Sequence, residues 1–437
     1  EIRRALEAVG PLCQATGRDL LPLHGSLSIE EQDRAVTQGP RPKVILSTNV
    51  AETSITVPGV TAVVDSGLLR RAEHHPWTGT TRLETRKASQ ASATQRAGRA
   101  GRVAPGRCVR LYTRHDHDTR PRAEKPEVLR ADLCGLVLHI RSRGGEGSSS
   151  DRPSQSLRAS QPQRSQDPRT FPFLDPPPAD ALDHAEFLLQ QLGILDESLA
   201  VTAVGERVLE LPLHPRLGRL VVACEERGLG ELGSLAAAVL SERDVRTVGR
   251  LSLGASAQAA VAPDLSDVWD RVERLTDARR AGLSSKALRQ RGLDPRASRA
   301  ALKAAKGIDG ARRRSRRTES LQVERKGHDP GHDPGHDPGH DPDLRSSLLE
   351  AVLLAFPDSV GRRRRRGEDE VVFARGGSGK VAPTSVVKEP EFLVVVDADG
   401  RRGRGVKIRA ASAIEPEWLL GHFPDRIRET REVVFRE

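Results

Sequence analysis

The sequence predicts an α/β layer built on parallel strands, then a mostly helical region, and finally a small C-terminal β domain. Three observations predict this order. Short apolar runs alternate with helical patterns near the start of the chain. Apolar residues recur at helical spacing over residues 171–246. Short strands with turn signals return after residue 390.

The composition restricts the partners that the chain can have. Its 437 residues carry a net charge of +10, which favours a polyanionic partner without separating RNA from DNA. Aromatic residues are only 3%, which argues against binding dominated by base stacking. The four scattered cysteines are predicted to be reduced core thiols. No apolar run approaches the roughly 20 residues that span a bilayer, and no signal peptide is visible, so we expect a cytoplasmic location.

The first α/β elements are predicted around a polar loop. Apolar residues at helical spacing predict a helix from Ile2. The run Val44–Leu46 predicts a strand, the polar loop Ser47–Val57 follows it, and a second strand ends at Asp65. Open α/β sheets place ligands at such strand ends. Uncharged hydroxyl and amide groups there suit neutral hydrogen bonds to a nucleic-acid backbone.

The most informative segment is Gln95–Arg102, which reads Q-R-x-G-R-x-G-R. If it is helical, Arg99 and Arg102 share one face. Two guanidinium groups on one face suit a triphosphate, because arginine matches phosphate oxygens in a bidentate manner. A solvated basic loop is the alternative, and the polar loop upstream favours the phosphate interpretation.

These segments resemble a known enzyme family. Leu23–Leu27, Ser47–Val57 and Gln95–Arg102 are similar to motifs of the second RecA-like lobe of DEAH-box helicases. Phe171–Pro178 and Leu211–Leu217 point to the bacterial HrpB-type branch. The resemblance is dense to about residue 246, thin over 261–345 and moderate near the C-terminus.

The resemblance implies roles in nucleotide chemistry. Arg99 and Arg102 would be arginine fingers on the γ-phosphate of ATP, and Gln95 would help to position the attacking water. Asp65 would approach the nucleotide ribose. Asn49 would link the nucleic-acid contact to the catalytic centre, and it is counted with the nucleotide-binding residues.

The resemblance also implies contacts with nucleic acid. Thr48 would touch the RNA phosphate backbone. For Arg96, the alternative to a contact with a ligand is a structural role. Residues His74–Arg86 are similar to the segment that carries the strand-separating hairpin of the family, with the turn at Pro76–Gly79.

Several helicase parts are absent from the sequence. It contains no G-x-x-x-x-G-K-[ST] phosphate loop and no D-E-A-H run to hold Mg²⁺. In the family these belong to the first RecA-like lobe, which we expect to precede this chain. Methionine is also absent. The expectation is the C-terminal portion of a longer protein that uses ATP and Mg²⁺, with all metal ligands in the first lobe and none in this chain.

The fold class expected from pattern and resemblance together is an α/β RecA-like lobe, then winged-helix and helical (ratchet-like) domains, then a small C-terminal β-containing domain. The expected ranges are 1–115 for the second RecA-like lobe, incomplete at its N-terminus, 116–142 for the start of the winged-helix region, 143–170 for a disordered insertion, 171–260 for the helical ratchet-like domain, 261–345 for a variable region, and 346–437 for the HrpB-type C-terminal domain.

Two low-complexity features lie in the later ranges. Gly-His-Asp-Pro occurs four times in Gly327–Pro342. Its His and Asp residues could bind a divalent metal loosely, but proline at every fourth position blocks a helix and leaves nothing to fix the ligands, so a variable insertion is favoured. The run Arg362–Arg366 either grips phosphates or is solvated, and the sequence does not decide between them. The strands predicted at Phe392–Asp397 and Val406–Ala413 are similar to an oligonucleotide-binding barrel.

The function that follows from the resemblance is part of an ATP-dependent helicase acting on single-stranded nucleic acid, with RNA favoured. The alternative is a non-catalytic nucleic-acid-binding remnant. A nucleotide-binding structural domain without nucleic acid fits poorly with the basic balance. No membrane association is expected.

Overall fold

The computed structural model describes residues 2–25, 27, 29–53, 55–75, 80–143, 166–247, 263–324, 342–365, 367–400 and 405–427. The chain divides into two units. Unit 1 consists of Glu1–His75 and Thr81–Ala131, and unit 2 of Pro76–Thr80 and Asp132–Glu437. The predicted insertion over 143–170 and the Gly-His-Asp-Pro repeats fall largely outside the described residues, as does the hairpin turn at Pro76–Gly79.

Unit 1 is an α/β arrangement with parallel strand pairs. Its helices are α1 (Ile2–Ala15), α2 (Ile29–Val36), α3 (Val50–Thr53), α4 (Gln90–Ala97) and α5 (Arg114–Asp118). Its strands are β1 (Asp19–Leu23), β2 (Lys43–Ser47), β3 (Ala62–Asp65), β4 (Leu68–His75), β5 (Thr80–Lys87) and β6 (Arg107–Arg110). Strands β1 and β2 pair in parallel, as do β3 and β6, while β4 pairs with β5. The strand ends Ser47 and Asp65 therefore lie where the sequence predicts them.

Unit 2 begins with helices that pack through apolar faces. They are α6 (Cys134–Arg143), α7 (Ala179–Gln191), α8 (Ala203–Leu209), α9 (Pro215–Glu225), α10 (Gly230–Ser241), α11 (Asp267–Arg280), α12 (Ser285–Gln290), α13 (Pro295–Glu324) and α14 (Pro342–Ala355). Helix α10 packs against α9, α11 and α13, and nearly all of its residues are buried. Most of its residues are small or apolar around the whole circumference of the helix, which suits a helix surrounded by others.

The C-terminal strands form a closed five-stranded barrel. They are β7 (Val360–Arg363), β8 (Glu370–Phe373), β9 (Ser378–Val381), β10 (Phe392–Gly400) and β11 (Val406–Ala413), and the short helix α15 (Pro416–His422) follows. The order around the barrel is β7-β8-β9-β11-β10, with β9 and β11 parallel and the other pairs antiparallel. Inward-facing valine, leucine and isoleucine side chains fill its core.

Two buried carboxylates join the helices of unit 2 to the barrel region. Asp267, at the N-terminus of α11, is fully buried and accepts hydrogen bonds from the Ser385 hydroxyl and from the backbone N–H groups of Val386 and Ala411. Asp358, in the turn before β7, accepts a two-pronged ion pair from Arg216 of α9, with N–O distances of 2.5 and 2.6 Å. Both are satisfied by several donors, as buried charges must be.

Within the described residues, no helix combines the length and the apolar character that crossing a membrane requires. The prediction that all four cysteines are core thiols is wrong for Cys108, which is exposed on β6, whereas Cys13, Cys134 and Cys224 are buried.

Candidate functional site

The polar loop after β2 presents its side chains to solvent at the carboxyl end of the strand. Thr48 and Asn49 are both exposed. The Thr48 backbone N–H donates to the Leu23 carbonyl (3.2 Å), so the loop is anchored to the end of the neighbouring parallel strand. The Asn49 carbonyl accepts from the Glu52 N–H (2.9 Å) and starts helix α3. The backbone is therefore fixed while the Thr48 hydroxyl and the Asn49 amide face outward.

The arginine segment is helical only in its first part. Helix α4 is capped by Ser89, whose hydroxyl accepts from the Ser92 N–H (3.2 Å), and it ends at Ala97. Residues 98–101 continue as turns, with Arg99 N–H donating to the Arg96 carbonyl (3.1 Å). The conditional expectation that Arg99 and Arg102 share a helical face is therefore wrong, because the helix ends before either residue.

Both arginines nevertheless reach the short segment of residues 52–56, which includes the end of α3. The Arg99 guanidinium donates to the carbonyls of Glu52 and Ile55. Arg102 is exposed and donates to the Thr56 hydroxyl (2.7 Å). Desolvation, and then the adjacent charge of Arg102, lower the pKa of Arg99. The tertiary structure thus brings the two positive charges close enough to repel each other.

Arg96 is the centre of a buried ion-pair network. Its Nε donates to Glu52 Oε2 (2.9 Å), and its Nη1 donates to Asp65 Oδ1 (2.8 Å) and to the Leu68 carbonyl (3.0 Å). The side chain is 14% exposed. Arg96 therefore joins the helix after the Thr48 loop to the end of β3, which agrees with the structural role predicted as its alternative.

Asp65 is saturated by neighbours within unit 1. It also accepts from the Gly67 N–H and from the Tyr112 hydroxyl, both at 2.9 Å. Burial by itself raises the pKa of Asp65, but the hydrogen bonds from Arg96, Gly67 and Tyr112 outweigh it and leave the pKa below its ordinary value. With a side chain only 1% exposed, Asp65 acts here as a structural anion, and its contact with ribose stays a prediction.

Gln95 lies on the exposed side of α4. Its amide makes no hydrogen bond to other groups in the described part of the chain, whereas Ala93 beside it is buried. The structure therefore leaves the Gln95 amide available to a ligand.

Two residues that hold the surroundings of the site in place, Arg120 and Gly106, are not predicted from the sequence. Arg120 is buried and donates to the carbonyls of Gly67 (2.7 Å) and Ala88 (3.1 Å), while its guanidinium stacks 3.8 Å from the Tyr112 ring centroid. Gly106 lies so close to the turn after α4 that a Cβ would come 2.0 Å from the Ala100 carbonyl oxygen. The Pro105-Gly106 pair is a turn signal in the sequence that could have indicated the close approach at Gly106, whereas no local pattern indicates the role of Arg120.

A group of three potential metal ligands occurs in unit 2, formed by Asp132, Cys134 and His214. His214 Nδ1 accepts from the Arg216 N–H, and Nε2 lies 3.2 Å from Asp132 Oδ1. The ring proton therefore belongs on Nε2, which is the nitrogen a metal would need. Burial, and then the charge of Asp132, raise the pKa of Cys134 well above its ordinary value. These contacts describe a hydrogen-bonded junction between α6 and α9.

A cavity of about 570 Å³ lies at the other edge of the first strands, lined by residues that include Arg18, Asp19, Arg34 and Lys43. Lys43 Nζ is already bound to carbonyls at the end of α2. Since Asp19 and Lys43 begin β1 and β2, this cavity is not at the carboxyl ends that hold Thr48 and Asn49.

Residues 2–104 match the family model described as "Helicase conserved C-terminal domain". Residues 2–104 therefore carry a helicase C-terminal domain, and the resemblance to DEAH-box helicases is confirmed. It is 36% identical over 246 residues to the ATP-dependent RNA helicase HrpB of Escherichia coli, an alignment that covers 55% of this chain and 27% of that protein. It is 38% identical over 244 residues to the probable ATP-dependent RNA helicase DHX34 of mouse, covering 55% and 19% respectively.

The structural comparison extends this DEAH-box likeness to nearly the whole chain. The crystal structure of the E. coli DExH-box NTPase HrpB matches with a TM-score of 0.61 and 26% identity, covering 93% of this chain and 40% of that one. The match confirms the HrpB-type resemblance and agrees with a RecA-like lobe followed by helical domains. The sequence alignments above span no more than about a quarter of the curated relatives, which are much longer proteins.

Proposed function

We propose that this chain is the part of an ATP-dependent RNA helicase that supplies the arginine fingers and one side of the single-strand channel. The observation that carries the proposal is the convergence of Arg99 and Arg102 on residues 52–56, directly after the loop that presents Thr48 and Asn49. Nucleotide-sensing and nucleic-acid-binding groups are thereby attached to one short helix.

The arginine geometry fits an anion held between two cations. Arg102 uses one donor on Thr56, and the rest of its exposed guanidinium is open. Desolvation, and then repulsion by Arg102, lower the pKa of Arg99, and a γ-phosphate between the two guanidinium groups would offset that repulsion. Stabilising the negative charge of a transferring phosphoryl group is the established role of such residues in phosphoryl transfer. The exposed Gln95 amide would orient the attacking water.

Arg96 acts as a positioning residue in this proposal. Its contacts with Glu52 and Asp65 fix helix α3 relative to β3 and to α4. A change at the nucleotide would therefore be transmitted to Thr48 through a short, rigid connection. We also propose the start of a winged-helix region at residues 116–142, a ratchet-like region at 171–260, which contains α7–α10, and an oligonucleotide-binding barrel at β7–β11. The barrel strand order supports the last of these.

ATP, with Mg²⁺ held outside this chain, and single-stranded RNA are the ligands of the proposal, and the cytoplasm is its location. The first RecA-like lobe would provide the phosphate loop and the acidic motif. The alternative, a nucleic-acid-binding remnant without catalysis, would show RNA binding that no added first lobe can make ATP-dependent.

The deciding experiment uses a protein that contains this chain together with the phosphate loop and the D-E-A-H motif. RNA-stimulated ATP hydrolysis is measured for the parent and for Thr48→Val and Arg102→Ala variants. We expect the first variant to lose RNA stimulation through weaker RNA binding, and the second to lose hydrolysis itself. Hydrolysis that survives Arg102→Ala would refute the assignment of the arginine finger.

A further inference from the structure

Helix α13 has two faces of opposite character over its described side chains. Its buried residues lie against α10 and α12: Ala297, Ala301, Ile308 and Ala311. Each residue turns an α-helix by about 100°, so Arg299, Lys303 and Lys306 fall on the opposite side. All three are exposed. These three cations, called here the α13 stripe, lie on the side of the helix opposite its buried apolar residues.

The charge of the stripe is not neutralised within the described residues. Lys303 and Lys306 have no hydrogen-bond or ion-pair partner there, and Arg299 donates only to the uncharged Ser285 hydroxyl (3.0 Å). The one acidic residue between positions 295 and 316 is Asp309. It is bound to Arg312 and Arg313.

The same face offers nothing that would anchor a folded protein partner. Small residues lie beside the cations or in the turn that follows them: Ala300, Gly307 and Gly310. Aromatic side chains provide much of the binding energy of protein interfaces, and residues 295–316 contain none. A ligand for this surface must be recognised through repeated negative charge.

Helix α12 adds further positive charge beside the stripe. The contact between Ser285 and Arg299 places the start of α12 next to α13. Lys286 and Arg289 of α12 are exposed and have no partner in the described part of the chain. The positive surface is therefore wider than one helix.

The spacing of the stripe suits a nucleic-acid strand. Along the helix axis, Lys303 lies about 6 Å beyond Arg299, and Lys306 about 4.5 Å beyond Lys303. A nucleic-acid strand presents phosphates at a comparable repeat of a few ångströms. We infer that the α13 stripe binds the phosphate backbone of nucleic acid without regard to sequence, at a site distinct from the Thr48 loop. The choice of RNA as its ligand rests on the proposed function.

The main test compares two triple variants of the full 437-residue chain. Arg299→Gln, Lys303→Gln and Lys306→Gln together remove the stripe. Arg18→Gln, Arg34→Gln and Arg41→Gln remove the same charge from exposed positions of unit 1. Binding of a labelled single-stranded oligouridine is measured by fluorescence anisotropy over a salt series. We expect the slope of log affinity against log salt to become shallower by roughly two in the first variant, because each phosphate contact contributes about 0.7 to its magnitude. The control should keep the parent slope.

A second pair of variants guards against an effect of misfolding. A Cβ at Gly310 would meet only the end of the Arg314 side chain, at 3.6 Å, so larger residues fit there. Gly310→Glu places a carboxylate within the stripe, and Gly310→Gln is its uncharged match. Both residues favour a helix more than glycine does. We expect the Glu variant to bind oligouridine several-fold more weakly than the Gln variant at low salt.

The outcomes separate the two proposals. An unchanged slope in the stripe variant, or equal binding by the two Gly310 variants, overturns the stripe and leaves the helicase proposal standing. A parent chain that binds no oligouridine at all contradicts the proposed nucleic-acid function. The parent chain and the triple stripe variant are also tested with a poly-glutamate peptide. If the triple stripe variant loses peptide binding but keeps the parent slope for oligouridine, the ligand is an acidic protein segment and the inference is overturned.

Discussion

At the scale of single residues, Arg96 and Asp65 show how a motif can combine folding with function. The sequence places Arg96 within an arginine-rich segment that points to phosphate, yet its guanidinium is fully engaged in unit 1. Its carboxylate partners lie 44 and 31 residues away along the chain. Arg99 and Arg102, which follow the helix, instead contact residues 52–56, and only Arg102 is exposed.

We expect Arg96→Ala to destabilise unit 1 by about 3 kcal/mol, because it leaves the nearly buried Asp65 without its cationic partner. Hydrogen exchange of peptides covering residues 47–66, followed by mass spectrometry, would detect the loss. Arg96→Ala combined with Asp65→Asn should recover part of the protection, since no charge is then left buried. Protection equal to that of the parent in Arg96→Ala would remove the basis for the positioning role.

The lowered pKa of Asp65 predicts an acid-sensitive unit 1. A carboxyl group whose pKa is lower in the folded state stabilises the fold above its unfolded pKa, which is about 3.9. That stabilisation is lost as the pH falls below this value towards the folded pKa. The urea concentration at the midpoint of unit 1 unfolding should therefore decrease with falling pH in the parent, and less so in Asp65→Asn. Identical pH dependence in the two proteins would contradict the proposed network.

Arg102→Ala should lower ATP turnover by roughly 10³-fold or more in a protein that also holds the phosphate loop and the D-E-A-H motif. RNA affinity without nucleotide should change little, because the hydrogen bond that Arg102 makes within the described residues is to Thr56. Arg114→Ala is the matched control, since Arg114 is 95% exposed and makes only a 3.8 Å contact with Asp118. Equal turnover in the two variants would refute the finger role.

At the scale of elements, the run Arg362–Arg366 separates into different roles once β7 is formed. Arg363 is 2% exposed. It donates to the carbonyls of Pro390 and Val387 (2.8 and 2.7 Å) and of Glu368. The two interpretations of the run, phosphate binding and solvation, are both wrong for this residue. Arg362, Arg364 and Arg365 are exposed and carry acidic neighbours, and Arg366 lies outside the described residues.

We expect Arg363→Gln to destabilise the barrel by a few kcal/mol, because the buried carbonyl of Val387 and the partly buried carbonyls of Pro390 and Glu368 lose their charged donor. The triple change Arg362→Gln, Arg364→Gln and Arg365→Gln should leave the fold intact. Hydrogen exchange over residues 360–413 would separate the two cases. Salt-dependent RNA binding by the triple variant then tests phosphate contact without the confounding loss of the barrel. Equal protection in Arg363→Gln and the parent would contradict the structural assignment.

At the scale of the whole molecule, the described residues contain the donors that would sense a γ-phosphate, while the sequence has neither the phosphate loop nor the acidic pair that holds Mg²⁺. Catalysis of phosphoryl transfer needs all of these parts together. We therefore expect purified residues 1–437 to show no measurable ATPase activity, with or without RNA, in a coupled-enzyme assay. The measurement with RNA is the decisive one. RNA-stimulated ATP turnover by this chain would contradict the proposal that the phosphate loop and the Mg²⁺ ligands lie outside it.

Local patterns alone predicted the elements that depend on short-range periodicity. The strands at Lys43–Ser47, Ala62–Asp65 and Val406–Ala413 lie close to their predicted positions, and helices occur within residues 171–246, where helical spacing predicts them. Apolar spacing and turn residues act over a few positions, so the sequence displays them directly. The spacing of Q-R-x-G-R-x-G-R is likewise a local pattern, and it suffices to indicate the proposed phosphate-binding segment.

The tertiary structure decided which polar side chains meet. Asp267 is an ordinary helix-start residue in the sequence, but it accepts from Ala411, 144 positions later, inside the barrel region. Arg363 is one of five consecutive arginines, yet it alone among the described members of the run is buried. Burial and pairing depend on contacts between distant segments, and no local pattern records them. For the same reason, the sequence determined that this chain carries a positively charged helicase motif, and the fold determined that Arg96 pairs with Glu52 and Asp65 while Arg99 and Arg102 reach residues 52–56.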